Sequence, residues 1–578
     1  MSRFGWVTGW LVVTIAYNRW VWPIHWEPRR FSAWILAFDA LKWGLVFYWL
    51  RTFTKRKSLY TSKRYVWGNV IRGHELEAIQ ANVGQLLEME REANCARCGG
   101  KGQVPAPKPG GEGEPWPLVT CKSCLGTGFA KGEIAPAFQV PYRGRNAIFF
   151  GFDVMTLEPF YLEGEARFCT TNVFSIQGGG KTKRVGYHIL NQTFADPNAS
   201  MVYFSLKMPD AQAVAALART AGWRVVFVKG LTLLEVFNSW HEFEDGLRKG
   251  LFAAGYKTRE SFWLDRTLQL LHEAYQDHLR DHATARLGPL LDQVEAKLRA
   301  EAEAGVKNNA DRTAFSDVWS YLKEFNDATS SVRWVYDASP EDLVPGDREG
   351  VWRRGHWPNW EPLAGAKVVY IVPPIEKSKA GIVAATALKY SCFLWFEKNK
   401  DRFFNENPEQ RHALVLYQDE GDQFILTAEN PTDLSDNYAN TKWRETGVSS
   451  FVFTQSMEEL AKAITRERLD AYLQSVQNVL TLKLPDEGLR RFIDRLPKYE
   501  LKRRVRSVNR SSQAYDDEAG KIAGNLRVQV SESLQIQEGP WITAEIYQQL
   551  PRGCAIFQQA GAVPRVLWMP YWRHVGFG

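Results

Sequence analysis

Apolar and polar residues follow different patterns along the chain, and each pattern predicts a different kind of element. In residues 74–93, and again through residues 241–330, apolar positions recur every three or four residues, which predicts amphipathic helices. Short apolar runs predict buried strands at residues 366–372, 413–417, 450–454 and 478–483. Strands that alternate with helices indicate an α/β fold, in which a parallel sheet is covered on both faces and an all-helical domain is inserted.

The first fifty residues contain two long apolar segments. Residues 4–22 and 31–50 are each long enough to cross a bilayer, which takes about 20 residues. Asp39 and Lys42 interrupt the second segment, but their spacing puts both charges on one helical face, where they offset each other. Tryptophans, which prefer the membrane interface, are concentrated here. Two transmembrane helices are the favoured interpretation, and the alternative is a pair of helices packed on another subunit or lying flat in the interface.

Charged residues near these segments suggest an orientation. Basic residues are frequent between positions 51 and 64, and the positive-inside tendency therefore puts the rest of the chain in the cytoplasm. Arg29 and Arg30, between the two segments, count against this orientation. A cleaved signal peptide is not expected, because no small-residue cleavage site follows the first segment.

Four of the seven cysteines form two copies of the pattern Cys-x-x-Cys-x-Gly-x-Gly. Each copy lets two sulfurs reach one metal from a tight turn, and its glycines adopt backbone angles that other residues avoid. Two copies supply the four thiolates of a closed tetrahedral zinc site, which is typical of structural zinc. The predicted ligands are Cys95, Cys98, Cys121 and Cys124.

The two copies resemble the cysteine-rich module of DnaJ-type chaperones, which implies a zinc-knuckle fold but not chaperone activity. The proline- and glycine-rich residues between them predict a flexible loop. The zinc then either holds a small domain together or presents this loop to DNA or to a protein partner. The residues leave both alternatives open.

A phosphate-binding loop is predicted where a short apolar strand runs into three glycines, a lysine and a threonine. Backbone N–H groups of such a loop, and the N-terminus of the helix after it, face the phosphates. We expect Lys181 to hold the β- and γ-phosphates of ATP and the Thr182 hydroxyl to ligate Mg²⁺. The glycines are Gly178, Gly179 and Gly180, and Ser175 stands where the motif usually has its first glycine.

Acidic residues follow the predicted strand at residues 413–417. In P-loop enzymes a first carboxylate holds Mg²⁺ and a second polarises the attacking water, and we expect these roles for Asp419 and Glu420. The alternative is an ordinary strand followed by an acidic turn. Lys181 and Asp419 are 238 residues apart, and this separation requires an insertion in the nucleotide-binding domain.

Composition narrows the class of protein. The chain has 578 residues, more than the roughly 250–300 at which one core stops growing, and several domains are therefore expected. With 45% hydrophobic and 24% charged residues, it is a packed protein and neither disordered nor collagen-like. The net charge of +7 is too small to argue for or against binding to nucleic acid or anionic lipid.

With these motifs in view, the chain resembles type IV coupling proteins of the TraG/TraD kind, which are membrane-anchored members of the FtsK/HerA group of DNA-pumping ATPases. The resemblance runs from about residue 140 to the C-terminus and includes the two-segment start. The strand MVYFSLKMPD is similar to the family's second strand, with Lys207 kept and Ser205 in place of the usual acid. The strand that ends at Gln455 resembles the one whose glutamine senses the γ-phosphate, and residues 542–553 resemble the family's closing segment.

The resemblance also implies a role for Arg444. It stands eleven residues before Gln455, where the family carries an arginine that reaches the nucleotide of the neighbouring subunit. Such an arginine offsets charge on the γ-phosphoryl group in the transition state. The alternative is a surface arginine on a helix over residues 438–447.

The function that the resemblance implies is DNA transfer in conjugation: a homohexameric ATPase, anchored in the bacterial inner membrane with its bulk in the cytoplasm, that pumps single-stranded DNA and its relaxase toward the components of a secretion channel. The implied cofactors are ATP, Mg²⁺ and Zn²⁺, although the zinc module is not a usual part of the family. One alternative is a related viral genome-packaging or secretion-energising ATPase. Another is a non-hydrolysing membrane adaptor, in which Ser175 and Ser205 mark a decayed nucleotide site.

A basic run near the C-terminus is the direct candidate for DNA contact. It would bind phosphates without sequence preference if it lined a pore, whereas most runs of this kind are solvated faces. Its residues are Lys502, Arg503, Arg504, Arg506 and Arg510.

The predicted organisation has six parts. They are a two-segment membrane anchor at 1–57, a connecting helix at 58–93, the zinc module at 94–130, the first part of a RecA-like P-loop domain at 131–240, an inserted all-helical domain at 241–345 and the second part of the P-loop domain at 346–578.

Overall fold

The structure of the protein, a computed structural model, describes most of the chain after residue 70. The described residues are 71, 73–105, 118–130, 136–145, 147–205, 207–227, 239–254, 261–281, 287–330, 360–372, 379–427, 433–464, 466–511 and 527–577. The predicted membrane segments, residues 4–22 and 31–50, lie outside them. Among the described helices, none combines the length and the apolar character needed to span a bilayer.

The elements of the described residues alternate between strands and helices over much of the chain. The strands are Gln103–Pro105 (β1), Leu118–Thr120 (β2), Phe138–Val140 (β3), Ala147–Asp153 (β4), Pro159–Glu163 (β5), Thr171–Phe174 (β6), Ala199–Phe204 (β7), Arg224–Phe227 (β8), Val368–Val372 (β9), Ala413–Asp419 (β10), Val448–Thr454 (β11), Asn478–Thr481 (β12), Lys498–Ser511 (β13), Arg527–Pro540 (β14), Cys554–Gln559 (β15), Arg565–Trp568 (β16) and Val575–Phe577 (β17). The α-helices are Gly73–Glu92 (α1), Tyr187–Ala195 (α2), Met208–Thr220 (α3), Trp240–Ala253 (α4), Ser261–Asp281 (α5), Leu287–Glu303 (α6), Asn309–Ser330 (α7), Lys379–Asn399 (α8), Asp436–Lys442 (α9), Met457–Ile464 (α10), Arg466–Ser475 (α11), Asp486–Arg495 (α12) and Ala544–Gln548 (α13).

Eleven of the described strands form one mixed sheet, in the order β5, β4, β16, β15, β12, β6, β11, β10, β7, β9, β8. Neighbours from β12 to β8 are parallel, and neighbours from β12 to β5 are antiparallel. Strands β7, β10 and β11 are buried at every position, because helices cover both faces of the parallel part. Successive side chains enter different cores: Tyr203 belongs to the core with α2 and α3, and Phe204 to the core with α4 to α8.

The described residues between 240 and 330 are almost entirely helical, as their apolar spacing predicts. Helices α4 to α7 direct their apolar faces into one core shared with α8. Helices α4 and α8 approach closely at Gly250, where an added Cβ would meet the carbonyl oxygen of Val383 at 2.8 Å. The boundaries of an inserted domain at 241–345 stay a prediction.

The four strands predicted from apolar runs are present as β9 to β12, with shifted ends. β10 and β11 extend beyond their apolar runs because their parallel pairing continues through polar residues, including Gln418 opposite Val452 and Ser449 opposite Val415. Apolar runs identify the buried centre of a strand, whereas pairing with a neighbour sets its ends.

A long antiparallel pair, β13 with β14, was not predicted. Lys498 pairs with Pro540 at one end, and Ser511 pairs with Arg527 at the other. The basic run that begins at Lys502 lies on β13. Charged residues interrupt the alternation of apolar and polar positions on β13. On β14 the alternation is present, at Val528, Val530, Leu534 and Ile536, so that this strand could have been predicted from the sequence.

A buried lysine connects α8 to the end of β10. Lys389 is fully buried, and its Nζ donates to Gln418 Oε1 at 2.7 Å, to Asp436 Oδ2 at 2.7 Å and to the Phe424 carbonyl at 3.0 Å. Burial lowers the pKa of Lys389, and the Asp436 carboxylate opposes that change. These bonds fix the chain on both sides of the acidic residues that follow β10, because buried charges must be paired.

Candidate nucleotide-binding site and four-cysteine centre

The glycine-rich loop leaves the carboxyl end of β6, which lies between β12 and β11 in the parallel part of the sheet. Its first residues are held by neighbouring strands, because the Ser175 N–H donates to the Thr454 carbonyl at 3.2 Å and the Ile176 N–H donates to the Lys483 carbonyl at 2.8 Å. Gly178 and Gly180 have φ of +76° and +98°, conformations that glycine adopts without strain. The loop therefore depends on these glycines for its shape.

Ser175 occupies the place of the usual first glycine without disturbing the loop. Its hydroxyl donates to the Ile176 carbonyl at 3.2 Å, and an added Cβ at Gly179 would overlap this hydroxyl. The absence of a side chain at Gly179 thus makes room for the one at Ser175. The departure from the motif is therefore accommodated locally.

The helix after the loop begins with a π-helical turn, Lys181–Gly186, and continues as α2. Lys181 is buried and Thr182 is half-buried at the start of this turn. The Tyr417 hydroxyl lies against Gly186, where a Cβ would overlap it. Gly186 therefore allows the first turn of the helix to approach β10 closely. π-helical turns of this kind are frequent at functional sites.

Asp419 is the last residue of β10 and lies at the same edge of the sheet as the glycine loop. One strand, β11, separates β10 from β6, which puts the two strand ends about 10 Å apart at ~4.8 Å per strand. Burial raises the pKa of Asp419, and the charges of Lys181 and Lys207 oppose that change. The lysine and the carboxylate, 238 residues apart in the chain, thus interact electrostatically.

Glu420 follows with a left-handed backbone, φ +54°, and its Oε1 lies 2.8 Å from Lys207 Nζ. The resemblance to coupling proteins included Lys207 but gave it no partner. The lysine extends from the end of β7, next to β10, which explains why the two side chains meet. Nearby, the Ser205 hydroxyl accepts a bond from the Lys207 N–H at 3.1 Å and stabilises the turn after β7.

Gln455 and Arg444 lie at opposite ends of β11. Gln455 directly follows the strand and is exposed at the edge that carries the loop and Asp419. Arg444 precedes the strand in a short 3₁₀ helix, Arg444–Thr446, and not on α9, so that the single helix considered for residues 438–447 is wrong. Seven strand residues at ~3.3 Å each separate the two positions by about 23 Å. Arg444 therefore does not reach the loop of its own chain.

Sequence reasoning missed Asp422. This residue is buried in the turn after Glu420, and its Oδ1 has no hydrogen-bond partner among the described residues. Burial raises the pKa of Asp422, whereas its bond from Gln423 and the Lys181 charge lower it. Asp422 stands three residues after Asp419, and this short spacing could have indicated a third acidic residue near the nucleotide site. An acidic residue in a turn is, however, too common to identify a site by itself.

The four predicted cysteines meet in one buried cluster. All four Sγ atoms lie within 4.8 Å of one another, with Cys95 to Cys121 at 3.9 Å and Cys98 to Cys124 at 3.7 Å. Tetrahedral zinc with Zn–S bonds of about 2.3 Å requires Sγ separations of about 3.8 Å. The sulfur positions therefore fit a four-thiolate zinc ion.

Backbone groups around the cluster favour thiolates. The Gly102 N–H donates to Cys98 Sγ at 3.3 Å, and the Gly128 N–H donates to Cys124 Sγ at 3.2 Å. Burial raises the pKa of Cys98, but the Gly102 N–H and the neighbouring thiols outweigh it and bring the pKa to about 7. Each Cys-x-x-Cys-x-Gly-x-Gly copy thus uses a glycine N–H to stabilise sulfur charge.

A parallel sheet with a glycine loop and buried acids at one edge is the architecture of P-loop nucleotide-binding proteins. No protein-family model matches the chain, and no curated protein matches its sequence. Similar solved structures include the bacterial conjugative coupling protein TrwBdeltaN70 in an unbound form, with a TM-score of 0.45, 14% identity and coverage of 74% of this chain and 89% of that chain. The plasmid coupling protein TrwB in complex with ADP and Mg²⁺ has a TM-score of 0.45 and 14% identity, covering 72% and 88%. VirB4 of Thermoanaerobacter pseudethanolicus has a TM-score of 0.43 and 11% identity, covering 75% and 99%.

Replacing Asp419 by asparagine should raise the thermal midpoint of the nucleotide-free chain while weakening Mg²⁺-dependent nucleotide binding. Because burial raises the pKa of Asp419, its ionisation costs stability once the pH exceeds the unfolded value of about 3.9, and the cost is complete above the folded-state pKa. Asparagine removes this cost, so that the thermal midpoint at pH 7 should rise. Asp292→Asn, at an exposed position on α6, is the control and should change neither quantity. A lower midpoint for Asp419→Asn would contradict the assigned electrostatics.

Proposed function

We propose that the protein is a membrane-anchored, hexameric ATPase that couples ATP hydrolysis to DNA transfer through a type IV secretion system. The observation that carries the ATPase part is the meeting of the glycine loop, Lys181 and Asp419 at one sheet edge, although the motifs are 238 residues apart. DNA transfer rests on the sequence resemblance to conjugative coupling proteins.

In the proposed mechanism, the N–H groups of Gly178, Gly180 and the start of the following helix would face the ATP phosphates, whereas the Gly179 N–H closes the loop on the Ile176 carbonyl at 3.0 Å. Lys181 would offset charge on the β- and γ-phosphates. Thr182 and Asp419 would hold Mg²⁺, which neutralises charge as it develops on the transferred phosphoryl group. The Asp419 carboxylate is buried at the end of β10, close enough to Lys181 for the two charges to interact, and it would be a ligand for a cation bound there.

Glu420 would polarise the attacking water, with Gln455 close to the γ-phosphate. The Lys207 ammonium group lies 2.8 Å from Glu420 Oε1. Release of this ion pair would free the carboxylate to accept a proton from water.

Arg444 would act on the nucleotide of a neighbouring subunit. Its position about 23 Å from Gln455 excludes a role in its own site but suits contact between subunits in a ring. There it would stabilise the transition-state charge, an effect worth about 10³–10⁵ in rate for other arginine fingers. Support for a homohexamer comes from the family resemblance.

Partners and location follow from the same resemblance. Residues 4–22 and 31–50 would anchor the chain in the bacterial inner membrane, with residues from about 58 onward in the cytoplasm. Single-stranded DNA with its relaxase would pass through the ring toward the secretion channel, and the basic strand β13 would contact phosphates. The four cysteines would hold one Zn²⁺ in a closed, structural site.

The decisive test is ATP hydrolysis by the full chain in detergent, measured without DNA, with single-stranded DNA and with double-stranded DNA. We expect hydrolysis that single-stranded DNA stimulates at least several-fold, since a translocating motor works on its cargo. Stimulation by double-stranded DNA alone would favour a genome-packaging motor, and hydrolysis indifferent to DNA would favour a secretion-energising ATPase. No hydrolysis under any condition would identify a non-hydrolysing adaptor and overturn the proposed activity.

A further inference from the structure

A buried ion pair joins the start of the phosphate-binding helix to the helix that leads into the four-cysteine centre. Glu90, near the end of α1, and Arg184, four residues after Gly180, are both almost fully buried. Arg184 Nη2 lies 2.7 Å from Glu90 Oε2, and Arg184 Nη1 lies 3.3 Å from Glu90 Oε1. Such a fork-to-fork pair has a defined geometry, and breaking it leaves an uncompensated buried charge.

Arg184 supports the phosphate loop directly. Its N–H donates to the Gly180 carbonyl at 2.8 Å, and its side chain packs against Gly180, where an added Cβ would meet Arg184 Cδ at 3.2 Å. The guanidinium group also donates to the Met569 carbonyl and stacks on the Tyr571 ring at 4.1 Å. The Arg184 side chain therefore helps to position Gly180, the residue directly before Lys181.

Glu90 also makes several polar contacts with neighbouring residues. It accepts a bond from the Tyr571 N–H at 2.6 Å, and its Oε1 lies 3.8 Å from His574 Nδ1. The Asn94 side chain donates to the Glu90 carbonyl at 2.9 Å. Asn94 directly precedes the metal ligand Cys95, so that Glu90 is anchored within one helical turn of the four-cysteine centre.

The C-terminal segment completes the connection. Arg573 donates to the Gly100 carbonyl and, at 2.6 Å, to the Asn94 side chain. Added Cβ atoms at Gly100 and Gly128 would meet the Arg573 guanidinium group, so that both knuckle glycines make room for it. The fold of the knuckles thus fixes the segment that contacts Glu90 and Arg184.

We propose that Glu90 and Arg184 are positioning residues that hold the phosphate loop in its binding conformation and make ATP binding depend on the metal in the four-cysteine centre. The dependence rests on the proposed ATPase function. Loss of metal would loosen both knuckles, free Arg573 and Asn94, and leave Glu90 and Arg184 without fixed positions. The zinc module would then be a support of the nucleotide site as well as a fold-stabilising element.

The test measures the Kd of a fluorescent, non-hydrolysable ATP analogue with Mg²⁺ for the full zinc-loaded chain. Glu90→Gln keeps the shape of the side chain and removes its charge, and we expect a Kd about tenfold higher. Arg184→Lys, which retains a positive charge, should raise the Kd by about threefold and serves if the glutamine variant does not fold. Removing zinc with a chelator should raise the Kd of the unmodified chain but hardly change that of Glu90→Gln, because coupled effects do not add.

A matched control comes from a second buried ion pair, in which Arg167 Nη2 lies 2.8 Å from Asp196 Oδ2. This pair lies at the amino ends of the parallel strands, opposite the phosphate loop. Asp196→Asn should lower the thermal midpoint about as much as Glu90→Gln and leave the Kd unchanged. Equal Kd values for Glu90→Gln and Asp196→Asn would overturn the positioning role, and so would a chelator effect of equal size in the unmodified chain and in Glu90→Gln. If the unmodified chain does not bind the analogue, the proposed ATPase function fails instead.

Discussion

Replacing Lys181 by alanine is expected to lower ATP hydrolysis by about 10³-fold, the size of effect seen when a group that stabilises transition-state charge is removed. The lysine is buried at the start of the helix that follows the glycine loop, where its ammonium group interacts with Asp419 and Asp422. Alanine removes this cation, and Lys207 remains as the cation that acts on Asp419. Nucleotide phosphates would then enter a site with excess negative charge, and binding should weaken as well.

A matched control is available two residues further along the same turn. Lys183 has the same charge but is exposed, and Lys183→Ala should keep normal hydrolysis. Both variants are compared by steady-state phosphate release, with thermal unfolding as a check that the fold persists. Equal hydrolysis by Lys181→Ala and the unmodified chain would refute the assignment of the site.

Loss of one cysteine from the cluster should abolish stoichiometric zinc binding. In Cys121→Ser, three sulfurs remain, and a hydroxyl is a much poorer zinc ligand than a thiolate. Apparent binding energies of about 10–16 kcal/mol for zinc in small finger domains indicate how much folding energy such a site contributes. We expect one zinc per unmodified chain, almost none per variant chain, and an additional unfolding transition at lower temperature.

Cys169→Ser provides the comparison for the cysteine experiment. Cys169 is also buried, but its Sγ donates to the Glu165 carbonyl at 3.3 Å, outside the cluster, and a serine hydroxyl keeps that bond. Metal analysis by mass spectrometry should therefore find unchanged zinc in this variant. Stoichiometric zinc in Cys121→Ser would show that the metal does not need all four sulfurs.

Much of the local chemistry was visible in the residues themselves. Three features depend only on residues that are close together in the sequence and can therefore be recognised from it. They are the spacing in the two cysteine pairs, the run from Gly178 to Thr182, and the acidic residues after an apolar strand. Continuous apolar runs identified β9 to β12 because parallel strands are buried on both faces. These features specified the α/β class and the candidate nucleotide site.

The remaining features arise from contacts between segments that are far apart in the chain. The antiparallel half of the sheet joins β4 and β5 to β15 and β16 from near the C-terminus, and no local pattern encodes that pairing. The Lys207–Glu420 and Glu90–Arg184 pairs likewise form only when distant elements pack together. They could not be predicted, because the sequence around a charged residue does not indicate which residue it pairs with. The spacing of residues in the sequence thus determined the candidate metal ligands and the phosphate-binding loop. Tertiary packing determined which charged side chains pair, because a charged group is stable in the interior only next to an opposite charge.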